Sequence, residues 1–458
     1  MNNHIFHPSI LREYDIRGVF DETLFLEDAY WVGRIIGHII RKNKGSSIAV
    51  GRDGRLSSPD LQSSLIKGLC EAGIDVYDIG ISPTPLLYYA EHVLPVNGAI
   101  MVTGSHNPPT YNGFKISLNH RPFFGELIHS LPRYIRADLH KGKGKINKKI
   151  ISSSYITQLL KDLKLDSSLS VVWDPGNGST CEILKELVQK LPGTHLILNG
   201  EIDGTFPSHP PDPSQPNNLH ELQKNVLTRK AHLGIAFDGD GDRMAAIDDK
   251  GHIFAGDQLL LIFACDLLKS YPHATIVVDI KTSQGVFDRI NHSKGNALMW
   301  KTGHSHIKEK MRESGALLGG EMSGHFFFKE GYYGFDDGIK AALKLLQILE
   351  ETKKSLSDYY NQLPHLFSSS EIRIPCPANR KFQIPLNIKE ALSVQGASIN
   401  DIDGIRIQSE EGWWLLRASN TQDALVARCE GYTKEGLENM KLQIKKALEK
   451  EEIFVDIN

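Results

Sequence analysis

Asp238-Gly-Asp-Gly-Asp-Arg sets three carboxylates at alternate positions behind the apolar run Leu233-Gly-Ile-Ala-Phe. Carboxylate oxygens are the ligands of hard cations, and glycine lets the backbone fold tightly around an ion. Three adjacent carboxylates repel one another unless a cation neutralises them, which speaks against a solvated acidic turn. An EF-hand fits poorly: its sixth loop position needs Gly and here is Arg243, and its twelfth needs Glu and here is Asp249. The residue types predict a hard-cation site on Asp238, Asp240 and Asp242, with the Arg243 guanidinium suited to a phosphate oxygen.

Four other loops carry useful groups. Thr103-Gly-Ser-His-Asn-Pro presents Ser105 after the run Gly98 to Val102, where a strand-end turn exposes a hydroxyl as a nucleophile. The plain alternative is a turn cap, which is what most loop serines are. Gly320-Glu-Met-Ser-Gly-His gathers a carboxylate, a hydroxyl and an imidazole, the donors and acceptors a polyol needs; Glu321 paired with a surface lysine is the bland reading. Arg417-Ala-Ser-Asn-Thr offers a guanidinium, two hydroxyls, an amide and turn N–H groups, either an oxyanion cradle or an ordinary turn between strands. Tyr14-Asp-Ile-Arg-Gly puts Arg17 in another candidate anion loop, and Lys115 and Lys281 are candidate phosphate or proton-transfer partners.

These loops need a scaffold, and the chain supplies a repeated one. Ile48-Ala-Val, Val171-Val-Trp and Ile276-Val-Val each lead through a polar turn into a helical pattern, the strand–turn–helix signature of α/β folds. A second apolar run follows each: Gly98 to Val102, Leu233 to Phe237, and Ala316 to Gly319. One α/β unit used three times is the reading, with ligands at the carboxyl ends of the strands. From Ser368 the texture changes to a smaller α+β pattern: strands at Glu371 to Ile374, Gly404 to Gln408, Gly412 to Arg417 and Leu425 to Glu430, helices from Asn379–Phe382 onward and over Lys434 to Lys450. The expected fold class is therefore α/β, three similar α/β domains plus a C-terminal α+β domain around a central cleft, with spans 1–150, 151–254, 255–367 and 368–458. The Pro-rich stretch from Phe206 to Pro216 reads as a stiff loop and is assigned no chemistry.

Composition excludes several classes. The chain has 458 residues, with 52 Lys plus Arg against 55 Asp plus Glu, a net charge of −3, which gives no electrostatic case for nucleic acid or an anionic membrane as partner. No basic segment followed by a long apolar run opens the sequence, and the stretch Leu259 to Ala264 falls far short of the roughly 20 residues of a membrane span. Five scattered cysteines with no C-x-x-C pair read as free thiols of a cytoplasmic protein.

Taken together and in order, from Tyr14-Asp-Ile-Arg-Gly to Arg417-Ala-Ser-Asn-Thr, the loops resemble the α-D-phosphohexomutase superfamily along the whole chain. Gly320-Glu-Met-Ser-Gly-His and Arg417-Ala-Ser-Asn-Thr are similar to its phosphomannomutase/phosphoglucomutase branch, whereas phosphoglucosamine mutases usually carry Gln at the place of Met322. The resemblance implies reversible phosphoryl transfer between O1 and O6 of mannose or glucose phosphates through a hexose 1,6-bisphosphate. It makes Ser105 the phosphoserine and a fourth contributor to one Mg²⁺ on Asp238, Asp240 and Asp242. Glu321 and Ser323 map to sugar hydroxyls; Arg417, Ser419, Asn420 and Thr421 map to the distal phosphate. Tyr14, Arg17, His106, Lys115, Arg243, Lys281, His304 and His325 map to the rim of the site or to proton transfer. One departure stands out: Gln422-Asp423 follows the last loop where the family often has Thr-Pro or Glu-Pro, adding a carboxylate beside a phosphate cradle. Small hexose phosphates are the expected partners of a monomer. Rival readings are a phosphoglucosamine mutase, a haloacid-dehalogenase-type phosphotransferase with Asp238 as nucleophile, and a sugar-phosphate sensor without turnover.

Overall fold

The structure is a computed structural model that describes all residues except 1–3, 167–168, 365, 378, 394–397, 420–422, 456 and 458. Asn420 and Thr421 of the expected phosphate loop, and Gln422 after them, lie outside the described residues.

Four sheets organise the chain. The first three contain the same four-strand core. In the first it runs Tyr111–Leu118, Gly98–Val102, Ser47–Arg52, Asp75–Ile81. In the second it runs Met244–Asp248, Leu233–Phe237, Ser170–Asp174, Thr194–Ile197. In the third it runs Phe326–Phe328, Leu318–Gly320, Thr275–Asp279, Asn296–Trp300. In each, the last three strands are parallel and the first is antiparallel to its neighbour. The strand-end loops with Ser105, with Asp238 to Asp242 and with Glu321 are therefore one and the same connection, the turn from the second strand into its antiparallel return. The expected triplication is present at the level of topology, and its uneven spacing has a local cause: the second unit carries the Pro-rich segment 206–216 between its strands.

Parallel central strands are covered on both faces and so read as continuous apolar runs rather than alternating ones. Ile48, Val50, Val171, Trp173, Ile276 and Val278 are all fully buried, which explains why these runs were visible in the sequence. One apolar cluster extends through all three α/β units, joining Leu87 and Tyr89 to Tyr155, Trp173, Phe237, Phe263 and Phe326.

The fourth sheet is antiparallel, ordered Phe367–Ser368, Ala424–Gly431, Gly412–Ala418, Ile405–Gln408, Ser398–Asn400, with Ile372–Pro375 also on Ala424–Gly431. Its core of Ile374, Ile405, Trp414, Leu416, Leu425, Met440 and Ile444 is separate from the large cluster. The helix expected from Asn379 begins later, at Gln383, after a turn in which the Arg380 and Lys381 N–H groups donate to the Pro377 carbonyl.

Candidate active site

The acidic loop closes tightly after Phe237. Gly241 takes a φ of 73°, and a side chain there would strike Thr180, so glycine is required. Asp238, Asp240 and Asp242 are each 0% exposed, and their oxygens lie within 4.8 Å of one another. Lys115, on the return strand of the first unit, donates to Asp240 Oδ2 at 2.7 Å and also to Asp242. Thr84 Oγ1 donates to Asp240 Oδ2 at 2.5 Å. Burial opposes charge at every carboxylate here. At Asp238, burial and then the charges of Asp240 and Asp242 push the carboxyl well above its usual range. At Asp242, Lys115 and then His325 outweigh burial and hold it well below.

Ser105 reaches this group from the first unit. Its backbone is left-handed, φ 47°, and the residue is 1% exposed. Its Oγ donates to Asp238 Oδ2 at 2.8 Å and lies 3.3 Å from His106 Nδ1. Burial, then Arg243 and Arg17, push the His106 imidazole well below its usual value. Arg17 donates to the Gly104 carbonyl at 3.3 Å and to Asn107 Oδ1, bracing the loop.

The loop has a second brace that sequence reasoning missed. Arg55, fully buried, donates to the carbonyls of Ser105 and Asn107, each at 2.7 Å, and of Tyr111 at 3.0 Å. Asp53 accepts from Arg55 Nε at 3.1 Å, Thr103 Oγ1 at 2.8 Å and the Gly104 N–H at 3.1 Å. The Phe206 ring lies 5.0 Å beneath the Arg55 guanidinium, so the Pro-rich segment, given no chemistry from sequence, underlies the serine loop. The signal was available: Gly51-Arg-Asp-Gly-Arg is the loop after the first strand of the unit, with an acid and a base two residues apart.

The third unit brings Glu321 and His325. Glu321 Oε1 accepts from the Gly303 N–H at 2.6 Å, and Oε2 is 3.2 Å from His325 Nδ1, so both oxygens already have one partner. Ser323 Oγ lies 3.0 Å from His325 Nδ1. His325 Nε2 is 3.3 Å from Asp242 Oδ1 and 3.3 Å from Arg243 Nε. Although burial works against its charge, Asp242 raises the imidazole to about 9. Arg243 also donates its N–H to Asp238 Oδ1 at 3.2 Å. His304 begins the helix His304–Ser314, next to Gly303, where φ 123° and the Tyr14 ring leave no room for a side chain. Burial, then Lys308 and Lys115, hold His304 well below its usual range.

The fourth sheet closes over this cleft. Arg417, 5% exposed, donates through Nε to Asp403 Oδ2 at 3.0 Å and through a terminal nitrogen to Tyr14 Oη at 3.4 Å. Asp403 also accepts from the Thr302 N–H at 3.1 Å, so Tyr14, Thr302 and Arg417 join three units at one point. Ser419 is buried beside Arg417, and its N–H donates to the Ala424 carbonyl at 2.9 Å. Lys281 turns toward the fourth sheet, 3.2 Å from Glu371 Oε2, rather than toward Ser105. Asp423, the unusual acid, is 70% exposed at its side chain and meets Lys381 at 3.3 Å.

A serine at the mouth of a buried acidic cluster, lysine and arginine beside it, and a polyol-type acceptor opposite define a class: a multidomain α/β enzyme of phosphoryl transfer. Comparison with known proteins agrees. The chain matches "Phosphoglucomutase/phosphomannomutase, alpha/beta/alpha domain" I over residues 8–130, II over 153–251 and III over 255–367, and the C-terminal domain over 371–447. It is 44% identical over 434 residues to "Phosphomannomutase/phosphoglucomutase" of Pseudomonas aeruginosa PAO1, covering 94% of each chain. It is 38% identical to "Phosphoglucomutase" of Neisseria meningitidis serogroup A, covering 96% of each. A phosphoglucomutase/phosphomannomutase family protein of Burkholderia thailandensis superposes with a TM-score of 0.91 at 38% identity, over 97% of this chain and 98% of that one. The chain belongs to the phosphoglucomutase/phosphomannomutase family. Among the described residues no helix is long and apolar enough to cross a membrane.

Proposed function

We propose that the chain catalyses reversible phosphoryl transfer between O1 and O6 of mannose and/or glucose phosphates, with Ser105 as phosphocarrier and a hexose 1,6-bisphosphate as intermediate. The observation that carries this reading is the Ser105 hydroxyl directed onto Asp238 within the buried acidic cluster. Asp238 as nucleophile would leave the Ser105 and Glu321 loops without a role.

Asp238, Asp240 and Asp242 fit a hard cation: they are an all-oxygen set, and Asp240 Oδ1 and Asp242 Oδ1 are buried without a hydrogen-bond partner. Mg²⁺ bound there would supply electrostatic neutralisation of the phosphoryl oxygens on Ser105. The chain's own groups do the rest. Lys115 and Arg243 place positive charge where the equatorial oxygens gather it, the larger share of catalysis in phosphoryl transfer. Glu321 and Ser323 orient the sugar, and Arg417 with Ser419 holds the phosphate that is not reacting. Lys115 and His325 flank the hydroxyl that must lose a proton, and His106, Arg17, Tyr14, Lys281 and His304 complete the wall. One distal cradle serves both orientations of the bisphosphate, so the reaction runs either way. The four sheets correspond to working domains of 1–150, 151–254, 255–367 and 368–458, in a monomer acting on free sugar phosphates in the cytoplasm.

Peptide mapping of the purified protein tests the carrier. Acid-stable phosphate on the peptide with Ser105 is expected; acid-labile phosphate on the peptide with Asp238 would overturn the reading. Coupled assays on mannose 1-phosphate, glucose 1-phosphate and glucosamine 1-phosphate then fix the sugar.

A further inference from the structure

Beside the acidic loop lies a second set of ligand atoms that the reaction does not use as a set. Asp336 is fully buried, and Lys308 donates to its Oδ1 at 2.8 Å. Its other oxygen, Oδ2, has no hydrogen-bond partner. That oxygen lies 3.6 Å from His304 Nδ1 and 4.0 Å from His325 Nε2. His304 Nδ1 is likewise unpartnered, on a residue 8% exposed. On the far side, His325 Nε2 is 3.3 Å from Asp242 Oδ1, also without a hydrogen-bond partner. Lys115 holds the opposite oxygen, Asp242 Oδ2. The two lysines thus grip the outer oxygens of the two carboxylates and leave the inner ones bare, facing two imidazoles. Buried polar atoms are seldom left unsatisfied, and several around one point call for a water or an ion.

We propose that Asp242, His325 and Asp336 form a second metal site, for a divalent transition ion of the Zn²⁺ or Co²⁺ kind, with His304 Nδ1, 3.6 Å from Asp336 Oδ2, orienting that ligand from behind. The donor set is one imidazole nitrogen and two carboxylate oxygens, with a position left for water, which suits such an ion better than Mg²⁺. The spacing suits it too. Ligands about 2.0–2.1 Å from a tetrahedral ion sit roughly 3.3–3.4 Å from each other; His325 Nε2 lies 3.3 Å from Asp242 Oδ1 and 4.0 Å from Asp336 Oδ2, and all three ligand atoms lie within 4.8 Å of one another. The ion would displace Arg243 Nε from its 3.3 Å approach to His325 Nε2. Asp242 belongs to both groups, so the two ions would sit on either side of one carboxylate. With His304 and His325 pinned in the cleft wall, occupancy inhibits turnover; that consequence, unlike the site, rests on the mutase reading.

The experiment is equilibrium dialysis of the full chain against Zn²⁺, and separately Co²⁺, in a large excess of Mg²⁺, with bound metal counted by emission spectroscopy. Retention of about one ion per chain is expected, with the strong visible bands of tetrahedral Co²⁺. Asp336→Asn and His304→Gln should each weaken retention about tenfold or more, while Asp240→Asn should not. The His304 variant keeps the test open if the Asp336 variant fails to fold. No retention in excess Mg²⁺, weak octahedral Co²⁺ bands, or retention lost in Asp240→Asn but intact in Asp336→Asn would overturn the site. The last pattern means that Zn²⁺ merely replaces Mg²⁺, and the first that water fills the space. Binding is read without turnover, and turnover is assayed separately in Mg²⁺ after the transition ion is chelated away: a chain inactive there refutes the reaction and leaves the site standing, and an active chain that retains no Zn²⁺ refutes the site.

Discussion

Ser105 holds a left-handed backbone that a side-chain-bearing residue adopts only when its surroundings impose it. The imposed conformation aims Oγ at Asp238 while Arg55 takes up the Ser105 carbonyl. Ser105→Ala should therefore lower mutase turnover by orders of magnitude and leave much of the sugar-phosphate affinity in place, because no group of the distal cradle is touched. Calorimetric titration beside steady-state kinetics checks this; a kcat within about tenfold of the parent is the result that fails it. Glu321 has a subtler role. Glucose and mannose share O3 and O4, and a carboxylate that hydrogen-bonds these treats both sugars alike. Removing a charged hydrogen-bond partner costs roughly 1.5–3 kcal/mol, about ten- to a hundredfold. Glu321→Ala should cost both sugars by a similar factor, and it should lower kcat as well as raise KM, since Glu321 also holds the Gly303 amide and His325. Loss of mannose turnover with glucose turnover intact would show that the loop reads C2 instead.

At the scale of elements, the same turn carries the residues proposed for the chemistry in all three α/β units, but each turn is held by something outside itself. The serine loop depends on Asp53 and Arg55 in the neighbouring loop of its own sheet. Removing one partner of a buried ion pair costs about 3–5 kcal/mol, because the other charge is left stranded. Asp53→Ala strands Arg55 and releases Thr103 and Gly104 together. Hydrogen exchange should show amides of residues 103–111 losing protection while the acidic loop keeps its own, and phosphorylation of Ser105 should slow. Uniform loss of protection across the first sheet would mean that the pair supports the whole unit and not this loop.

At the scale of the molecule, one apolar cluster runs through the three α/β units, while the first unit and the fourth sheet each have a further core of their own. The joint between these units and the fourth sheet combines a small apolar contact of Ile280 with Trp413 and Leu415 with a set of polar bonds. Arg406 donates to the carbonyls of Ile280 at 2.6 Å and Thr282 at 2.9 Å, and Lys281 pairs with Glu371. Lys281, followed by opposing burial and then Arg373, holds the Glu371 carboxyl down at about 2 from an ordinary 4.5. A depressed acid adds stability above its unfolded pKa and loses it as pH falls toward the folded one. At 1.36 kcal/mol per unit the ceiling is about 3 kcal/mol, present above pH 4.5 and gone by about pH 2. Acid titrations of the parent and Glu371→Gln should converge over that window; curves that stay parallel would refute the pair's contribution. Arg417 bridges the same divide to Tyr14, so Arg417→Ala should raise KM for both sugars more than it slows phosphorylation of Ser105. Equal effects on the two would place Arg417 at the reacting phosphate.

What the sequence determined by itself was local. Apolar runs ending in polar turns gave the three α/β units, because buried parallel strands need unbroken hydrophobicity. Three alternating aspartates gave the acidic loop, because carboxylates gathered in one short turn repel unless positive charge lies among them. The resemblance supplied roles for Ser105, Glu321 and Arg417 that their own short motifs, read singly, left open between chemistry and turn capping. Tertiary structure decided what no spacing along the chain encodes. Lys115 meets Asp240 and Asp242 across a boundary between units, Arg55 finds the Ser105 carbonyl, and Lys281 turns to Glu371 instead of the serine. Asp336, an unremarked acid in Phe335-Asp-Asp-Gly, comes to lie between His304 and His325. Each of these pairings joins residues far apart in the chain whose charges are costly to bury alone, so each is fixed only when the sheets pack and water leaves.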